Sequence, residues 1–220
     1  MKVLVTGYTG QLGFDVVREL KARNIECIGT TRNEFSLTDT EKMQDFVKAY
    51  KPDVVIHCAA YTAVDKAEDE VDICRAVNTD ATKHLAEVCK EIDAKMIYIS
   101  TDYVFAGSGE NFYEVNDEKA PQNVYGKSKL DGELAVQEIL DKYFIVRISW
   151  VFGSNGKNFI KTMLNLAKNH DKLTVVNDQI GSPTYTVDLA KLLCDMALSD
   201  KYGIYHATNE GICSWYEFCL

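Results

Sequence analysis

Positive charge is in short supply in this 220-residue sequence. Lys and Arg total 24 against 33 Asp and Glu, giving a net charge of −9. No basic field is available to attract a phosphate backbone, so a nucleic-acid-binding role is disfavoured. One phosphate-bearing small molecule is still allowed, because it needs only local donors. Cys-x-x-Cys is missing, and the seven cysteines are an odd count. Several sit in apolar runs, such as Cys58 within Val54 to Ala60. That usage fits reduced thiols in a cytoplasmic protein better than a disulfide framework, and Cys58 and Cys89 are expected in the core. The four histidines (His57, His84, His170, His206) follow no ligand spacing, so no metal site is expected. No apolar run approaches the ~20 residues needed to span a membrane. The N-terminus lacks the charged-then-apolar pattern of a signal peptide. Repeats, low-complexity tracts and charge blocks are absent too.

What is present is an ordinary globular composition, 46% apolar and 26% charged, sufficient for a sizeable core. Short apolar, β-branched runs at Lys2 to Thr6, Ile25 to Thr30, Asp53 to Cys58, Lys95 to Ser100, Phe144 to Ser149 and Ile204 to His206 read as strands, with a further short strand at Thr174 to Val176. Helical patterns lie between them. The first starts at Phe14, and the next is opened by Thr38-x-x-Glu41, which has the form of a capping box. A long helix covers Val71 to Ile92. Others follow from Tyr125 to Leu140, Phe159 to Lys168 and Val187 to Leu198. Near-continuous apolar strands alternating with helices predict an α/β fold, a doubly wound parallel sheet of Rossmann type. The expected division is a dinucleotide-binding domain over 1–150 and a partial substrate lobe over 151–220, with elements returning to the sheet. Ser214-x-x-Glu217 is another capping box, and the chain stops at Leu220 where a helix should continue. A fragment with a truncated lobe is therefore expected.

Three stretches carry chemistry. Gly7, Gly10 and Gly13 follow the first strand and open a helix, with Thr9, Gln11 and Leu12 between them. Glycines let the backbone approach a pyrophosphate, and the helix N-terminus offers free N–H groups; the alternative is a purely structural turn. At the end of the second strand stands Arg32, where NAD-specific folds usually carry an acid. Arginine suits a 2′-phosphate, so NADP(H) is favoured and NAD(H) stays open; the alternative is a solvated loop residue. Tyr125 and Lys129 lie four apart, on one helix face. A neighbouring cation would lower the phenol's pKa towards useful acid–base chemistry, although such pairs also decorate solvated faces. Thr101, after the fourth strand, could hydrogen-bond a carbonyl oxygen or simply cap the strand. The long segment Thr101 to Val124 is expected to be functional. The acids Asp65, Glu68, Asp69, Glu70 and Asp72 read as a solvated helix start.

Together the glycine loop, Thr101 and Tyr125-x-x-x-Lys129 resemble the extended short-chain dehydrogenase/reductase superfamily. The segments Ala60 to Glu68, Ser100 to Phe105, Asn123 to Leu130, Arg147 to Val151, Asn158 to Met163 and Asn177 to Thr184 narrow the resemblance to the dTDP-4-dehydrorhamnose reductase family, over essentially the whole chain. The resemblance implies reduction of a dTDP-deoxysugar 4-ketone by hydride from a nicotinamide. It implies Tyr125 as proton donor, Lys129 as the cation that lowers its pKa and holds the ribose, and Thr101 as carbonyl partner. Ala60, Tyr61 and Thr62 match the cofactor-contacting segment. Asp102 and Trp150 match positions at the sugar nucleotide, and Asn158 is a candidate for the diphosphate. Trp150 and Asp102 also admit plain core and loop-cap readings. Phe35-Ser36-Leu37 departs from the family's adenine segment, and Tyr61 stands where His is frequent. A nucleotide-sugar epimerase or dehydratase shares the fold, but no Glu follows Asp102. A non-catalytic dinucleotide-binding subunit, resembling that of methionine adenosyltransferase, is the reading outside enzymes. Neither nucleic acid nor membrane is expected as a partner, and a homodimer is left open.

Overall fold

The computed structural model describes residues 1–109 and 111–220; Glu110, inside the long segment expected to be functional, lies outside the described residues. The chain runs β1 (Lys2–Thr6), α1 (Gln11–Ala22), β2 (Glu26–Thr30), α2 (Thr40–Tyr50), β3 (Val54–His57), α3 (Val64–Ala67), α4 (Val71–Arg75) and α5 (Ala81–Glu91). It continues with β4 (Lys95–Thr101), α6 (Val124–Ile139), β5 (Tyr143–Ile148), β6 (Val151–Phe152), α7 (Phe159–Leu166), β7 (Ile180–Gly181) and β8 (Thr184–Tyr185). The last elements are α8 (Thr186–Leu198), β9 (Gly203–His206), β10 (Cys213–Ser214) and α9 (Trp215–Cys219).

Six strands form one parallel sheet in the order β2-β1-β3-β4-β5-β9. Alternate side chains of each strand enter different cores. Val3, Val5, Val54, Ile56, Ile97 and Val146 face α1 and α8. Leu4, Val55, Met96, Tyr98 and Ile145 face α2, α5 and α6. Burial on both faces is why these strands read as unbroken apolar runs. Full burial of one such aliphatic side chain is worth about 1.5–3 kcal/mol. Strand order reverses between β1 and β3, and ligands of open α/β sheets bind beyond the carboxyl ends at such a switch point.

Four local expectations are corrected. Asp39, not Thr38, caps α2, its carboxylate accepting from the Lys42 amide at 3.2 Å. The helix expected over 71–92 is broken by a π-turn at Ala76–Asp80, which places Asn78 and Thr79 in the buried interior. The acids expected at one helix start are divided between two short helices, Asp65 lying in α3 and Asp72 in α4. No strand forms at 174–176, because that run finds no sheet partner; Val176 O only accepts from the Tyr216 amide. The Ser214–Glu217 capping box is formed in full.

Candidate functional site

A cleft of about 860 Å³ opens over the carboxyl ends of β1, β3, β4 and β5. Gly7, Thr9, Gly10, Gln11, Leu12, Arg32, Ala60, Thr62, Thr101, Asp102, Tyr125, Lys129 and Trp150 all line it. Gly7 adopts φ +73°, and a Cβ there would lie 2.8 Å from the Ala59 amide nitrogen. Only glycine meets both demands. Gly10 is the N-cap of α1 and offers no side-chain cap, and the first turn carries no acid. The free N–H groups of this 12-residue helix thus remain for an anion in the cleft. Those features fit a dinucleotide pyrophosphate.

At the β2 end, Thr31 and Arg32 line the cleft, and so do Phe35, Ser36, Leu37 and Thr38. The segment that departs from the family pattern therefore still forms a wall. Glu34 accepts from the Thr31 amide at 2.6 Å and from its hydroxyl at 2.8 Å, which holds the carboxyl below its ordinary pKa. Among the described residues Arg32 has no ion-pair partner.

On the β4 side, Thr101 is buried and donates its hydroxyl to Asp102 Oδ1 at 2.9 Å, while accepting from the Tyr103 amide at 3.3 Å. Desolvation raises the Asp102 carboxyl, although water still reaches this residue. Helix α6 opens with Asn123 as N-cap, its side chain accepting from the Gly126 amide at 2.7 Å. Glu68 Oε1 takes the Val124 amide at 2.8 Å. A Cβ at Gly126 would run into the Tyr103 carbonyl oxygen, so glycine lets α6 press against the Asp102–Val104 turn. Tyr103 meets Tyr125 edge-on at 5.6 Å.

Tyr125 and Lys129 share the cleft, as the spacing implies, but not through a direct bond. The Lys129 ammonium is buried, donates to Ile99 O at 2.7 Å and stands 4.1 Å above the Tyr98 ring. Burial lowers its pKa to about 7, with Glu133 opposing the shift. Desolvation pushes the Tyr125 phenol well above its ordinary value, while hydrogen bonding with Thr101 acts the other way. The expected lowering of the tyrosine by the lysine is therefore outweighed in this geometry.

Trp150 sits at φ +47°, unusual for a bulky residue, and stacks on Trp215 with centroids 3.7 Å apart and planes 13° from parallel. Both indoles line the cleft. Three expected contacts do not face it. Gly13 is buried in the first turn of α1. Tyr61 turns its phenol to Glu70 Oε2 at 2.5 Å, which raises its pKa to about 12. Asn158 caps α7 and spends both amide protons, on Gln11 Oε1 at 2.9 Å and Gly153 O at 2.8 Å.

Several contributors escaped the sequence reading. Asn78 clamps Tyr61 by its amide and carbonyl at 2.8 and 3.0 Å. Glu68 and Glu70, read as solvated, hold α6 and Tyr61. Cys58, expected in the core, is half-buried in the cleft wall. Asn155 bonds Thr9 O and Gly10 O at 3.1 and 2.9 Å, tying residues after β6 to the glycine loop. A polar residue at an apolar helical position was the one available signal for Asn78.

A glycine loop at the switch point of a parallel sheet, sharing one cleft with a Tyr-x-x-x-Lys pair, is the arrangement of the extended short-chain dehydrogenases/reductases. Within that class, the chain belongs to the RmlD substrate binding domain family, whose model matches residues 1–220. The spore coat polysaccharide biosynthesis protein SpsK of Bacillus subtilis is 44% identical over 99% of this chain and 76% of its own length. The dTDP-4-dehydrorhamnose reductase of Aggregatibacter actinomycetemcomitans is 41% identical over 100% of this chain and 77% of its own. The structure of dTDP-4-dehydrorhamnose reductase from Bacillus anthracis in complex with NADP superposes with a TM-score of 0.96 at 42% identity, covering 99% of this chain and 78% of that one. The chain thus spans about three quarters of the length of these relatives.

Among the described residues, no helix is long and apolar enough to cross a membrane, and no group of three or more His, Cys, Asp or Glu is placed to hold a metal ion.

Proposed function

We propose that this chain reduces the 4-keto group of dTDP-4-dehydro-L-rhamnose to dTDP-L-rhamnose, with NADPH the favoured reductant and NADH accepted. The observation that carries this reading is that Thr101, Tyr125 and Lys129 share one cleft with the glycine loop. When bound, the nicotinamide supplies hydride to the keto carbon. The chain's own part is alignment and proton delivery. Tyr125, kept protonated at neutral pH by desolvation, gives its phenolic proton to the oxygen as negative charge develops there. Lys129, one helical turn on, is the cation that stabilises the phenolate left behind. Thr101 has one hydroxyl proton, now held by Asp102. Donating to the substrate oxygen requires its release, so Asp102 sets when Thr101 is available. Trp150 and Asp102 face the sugar nucleotide, and Arg32 favours a 2′-phosphate. Every residue used comes from one chain. The reaction belongs in the cytoplasm, where reduced nicotinamide nucleotides are made.

The direct test supplies dTDP-4-dehydro-L-rhamnose with NADPH or NADH and follows loss of reduced nicotinamide absorbance. No oxidation with either would remove this reading. Tyr125→Phe should lose a factor on the order of 10²–10⁴ in kcat while NADPH binding persists. Arg32→Asp should move preference towards NADH; an unchanged ratio would refute the role given to Arg32.

A further inference from the structure

Behind the cleft lies a buried histidine that the chemistry above does not use. His57, at the end of β3, is 1% exposed. Its Nδ1 is 2.7 Å from Thr6 Oγ1, and its Nε2 is 3.3 Å from Thr82 Oγ1. The neighbouring bonds decide where the protons are. Thr82 donates its only hydroxyl proton to Asn78 O at 2.8 Å, so towards His57 it can only accept. His57 must then carry its proton on Nε2. Burial and the nearby Lys129 charge hold the ring far down, at a pKa of about 3, so it is neutral and Nδ1 is an acceptor. Thr6 therefore donates to Nδ1, and its oxygen accepts the Ala59 amide at 3.1 Å.

One ordered chain results: Ala59 N–H to Thr6, Thr6 to His57, His57 to Thr82, Thr82 to Asn78. Asn78 extends it, through its side chain, to the Tyr61 backbone and to Ser128 Oγ at 3.0 Å. Ser128 donates onward to Tyr125 O at 2.7 Å. Thr6, Ala59 and Tyr125 all line the cleft. Because Ala59 also abuts Gly7, the chain fixes the spacing between the glycine loop, the segment after β3 and the helix carrying Tyr125.

We propose that His57, as its neutral Nε2–H tautomer, is a positioning residue that sets the width of the cofactor cleft. It touches neither cofactor nor substrate and acts through Thr6 and Asn78. The inference rests on the cleft being the dinucleotide site.

The experiment has two arms. Nitrogen-15 NMR of the wild-type protein should show His57 with a protonated Nε2 and a bare Nδ1; an Nδ1–H or a doubly protonated ring would overturn the proposal. NADPH titration should give His57→Leu a Kd raised roughly tenfold, the loss expected of about one hydrogen bond with its partners left unsatisfied. His57→Asn, which keeps an acceptor near Nδ1, and His57→Gln, which keeps a donor near Nε2, should fall between Leu and wild type. In all three KM for NADPH should rise more than kcat falls. A folded His57→Leu with wild-type Kd would refute the role, since a merely structural histidine would lower only thermal stability. If His57→Leu fails to fold, the NMR arm and the two polar variants decide. Failure of the wild type to bind NADPH would instead sink the reading of the cleft, and the tautomer result would stand apart from it.

Discussion

The Lys129 ammonium donates to the Ile99 carbonyl at 2.7 Å, anchoring the cation to the sheet below the cleft. Its pKa falls from 10.5 to about 7 on burial. Between those values the unfolded chain binds more protons at this site than the folded one. Folding stability therefore rises with pH across that window, by at most about 1.4 kcal/mol per unit. Below about pH 7 the burial cost is fully felt, and above 10.5 it is gone. Lys129→Met should lack this slope. Urea unfolding of both proteins at several pH values checks it: the difference between them should change in favour of the wild type as pH rises from 7 to 9. Parallel curves would contradict the assigned shift.

The Glu133–Arg147 pair is the most deeply buried ion pair among the described residues, at 0% and 2% exposure. Arg147 bonds Oε1 at 2.9 Å and Oε2 at 2.7 Å, and Ser100 adds a bond to Oε1 at 2.5 Å. Arg147 also holds Val115 O at 3.0 Å, fastening the long segment after Thr101. Arg147→Met leaves a buried carboxylate without its partner, which costs about 3–5 kcal/mol. The double change Arg147→Met with Glu133→Gln should recover part of that loss, because no charge is stranded. Equilibrium denaturation measures both. A single variant within about 1 kcal/mol of wild type would be inconsistent with this account.

Gly126→Ala sets two effects against each other. Alanine raises helix propensity, worth up to about 1 kcal/mol. Its Cβ would run into the Tyr103 carbonyl oxygen, and a backbone group cannot swing aside. Overpacking of this kind costs about 1–3 kcal/mol, so the clash wins and the Asp102–Val104 turn must shift. Thr101 and Asp102 move with it. The expected outcome is a modest fall in stability with a loss of roughly tenfold or more in kcat, since small misplacements of reacting groups are costly. A variant more stable than wild type with full kcat would refute the contact.

Much of this was legible in the sequence, and the gaps have physical causes. Strands such as Val54 to His57 announce themselves because both faces are buried, and the glycine loop because its backbone conformation admits few residues. The Tyr125–Lys129 spacing put both side chains in the cleft, but spacing does not encode burial, and burial is what reverses the expected tyrosine shift. The π-turn at Ala76–Asp80 was invisible because apolar periodicity continues through it; only the buried Asn78 betrays it. Thr174 to Val176 has strand propensity without a neighbouring strand, and propensity alone does not form a ladder. Glu68 and Glu70 look like a solvated acidic run until the fold brings Val124 and Tyr61 to them.

Trp150 and Trp215 are the only tryptophans in the chain, which makes their stack directly observable. Trp150 holds a left-handed backbone conformation that costs on the order of 1–3 kcal/mol, and Gly181 packs so closely on its indole that a Cβ would come within 2.7 Å. Gly181 and Trp215 thus both pack on the indole of the strained residue. An aromatic pair adds about 0.5–1.5 kcal/mol beyond area burial, comparable with the strain it offsets. Removing Trp215 should free the Trp150 indole while leaving the glycine loop intact. Trp215→Ala is therefore expected to lose the exciton couplet of the indole pair in circular dichroism and about 1–2 kcal/mol of stability. KM for the sugar nucleotide should rise at least roughly tenfold, one contact's worth of about 1.4 kcal/mol, with KM for NADPH within about twofold of wild type. Trp215→Phe should restore most of the substrate affinity. If Trp215→Ala instead weakens NADPH and sugar nucleotide equally, the stack supports the whole cleft rather than its substrate end, and the assignment of Trp150 to the sugar nucleotide falls.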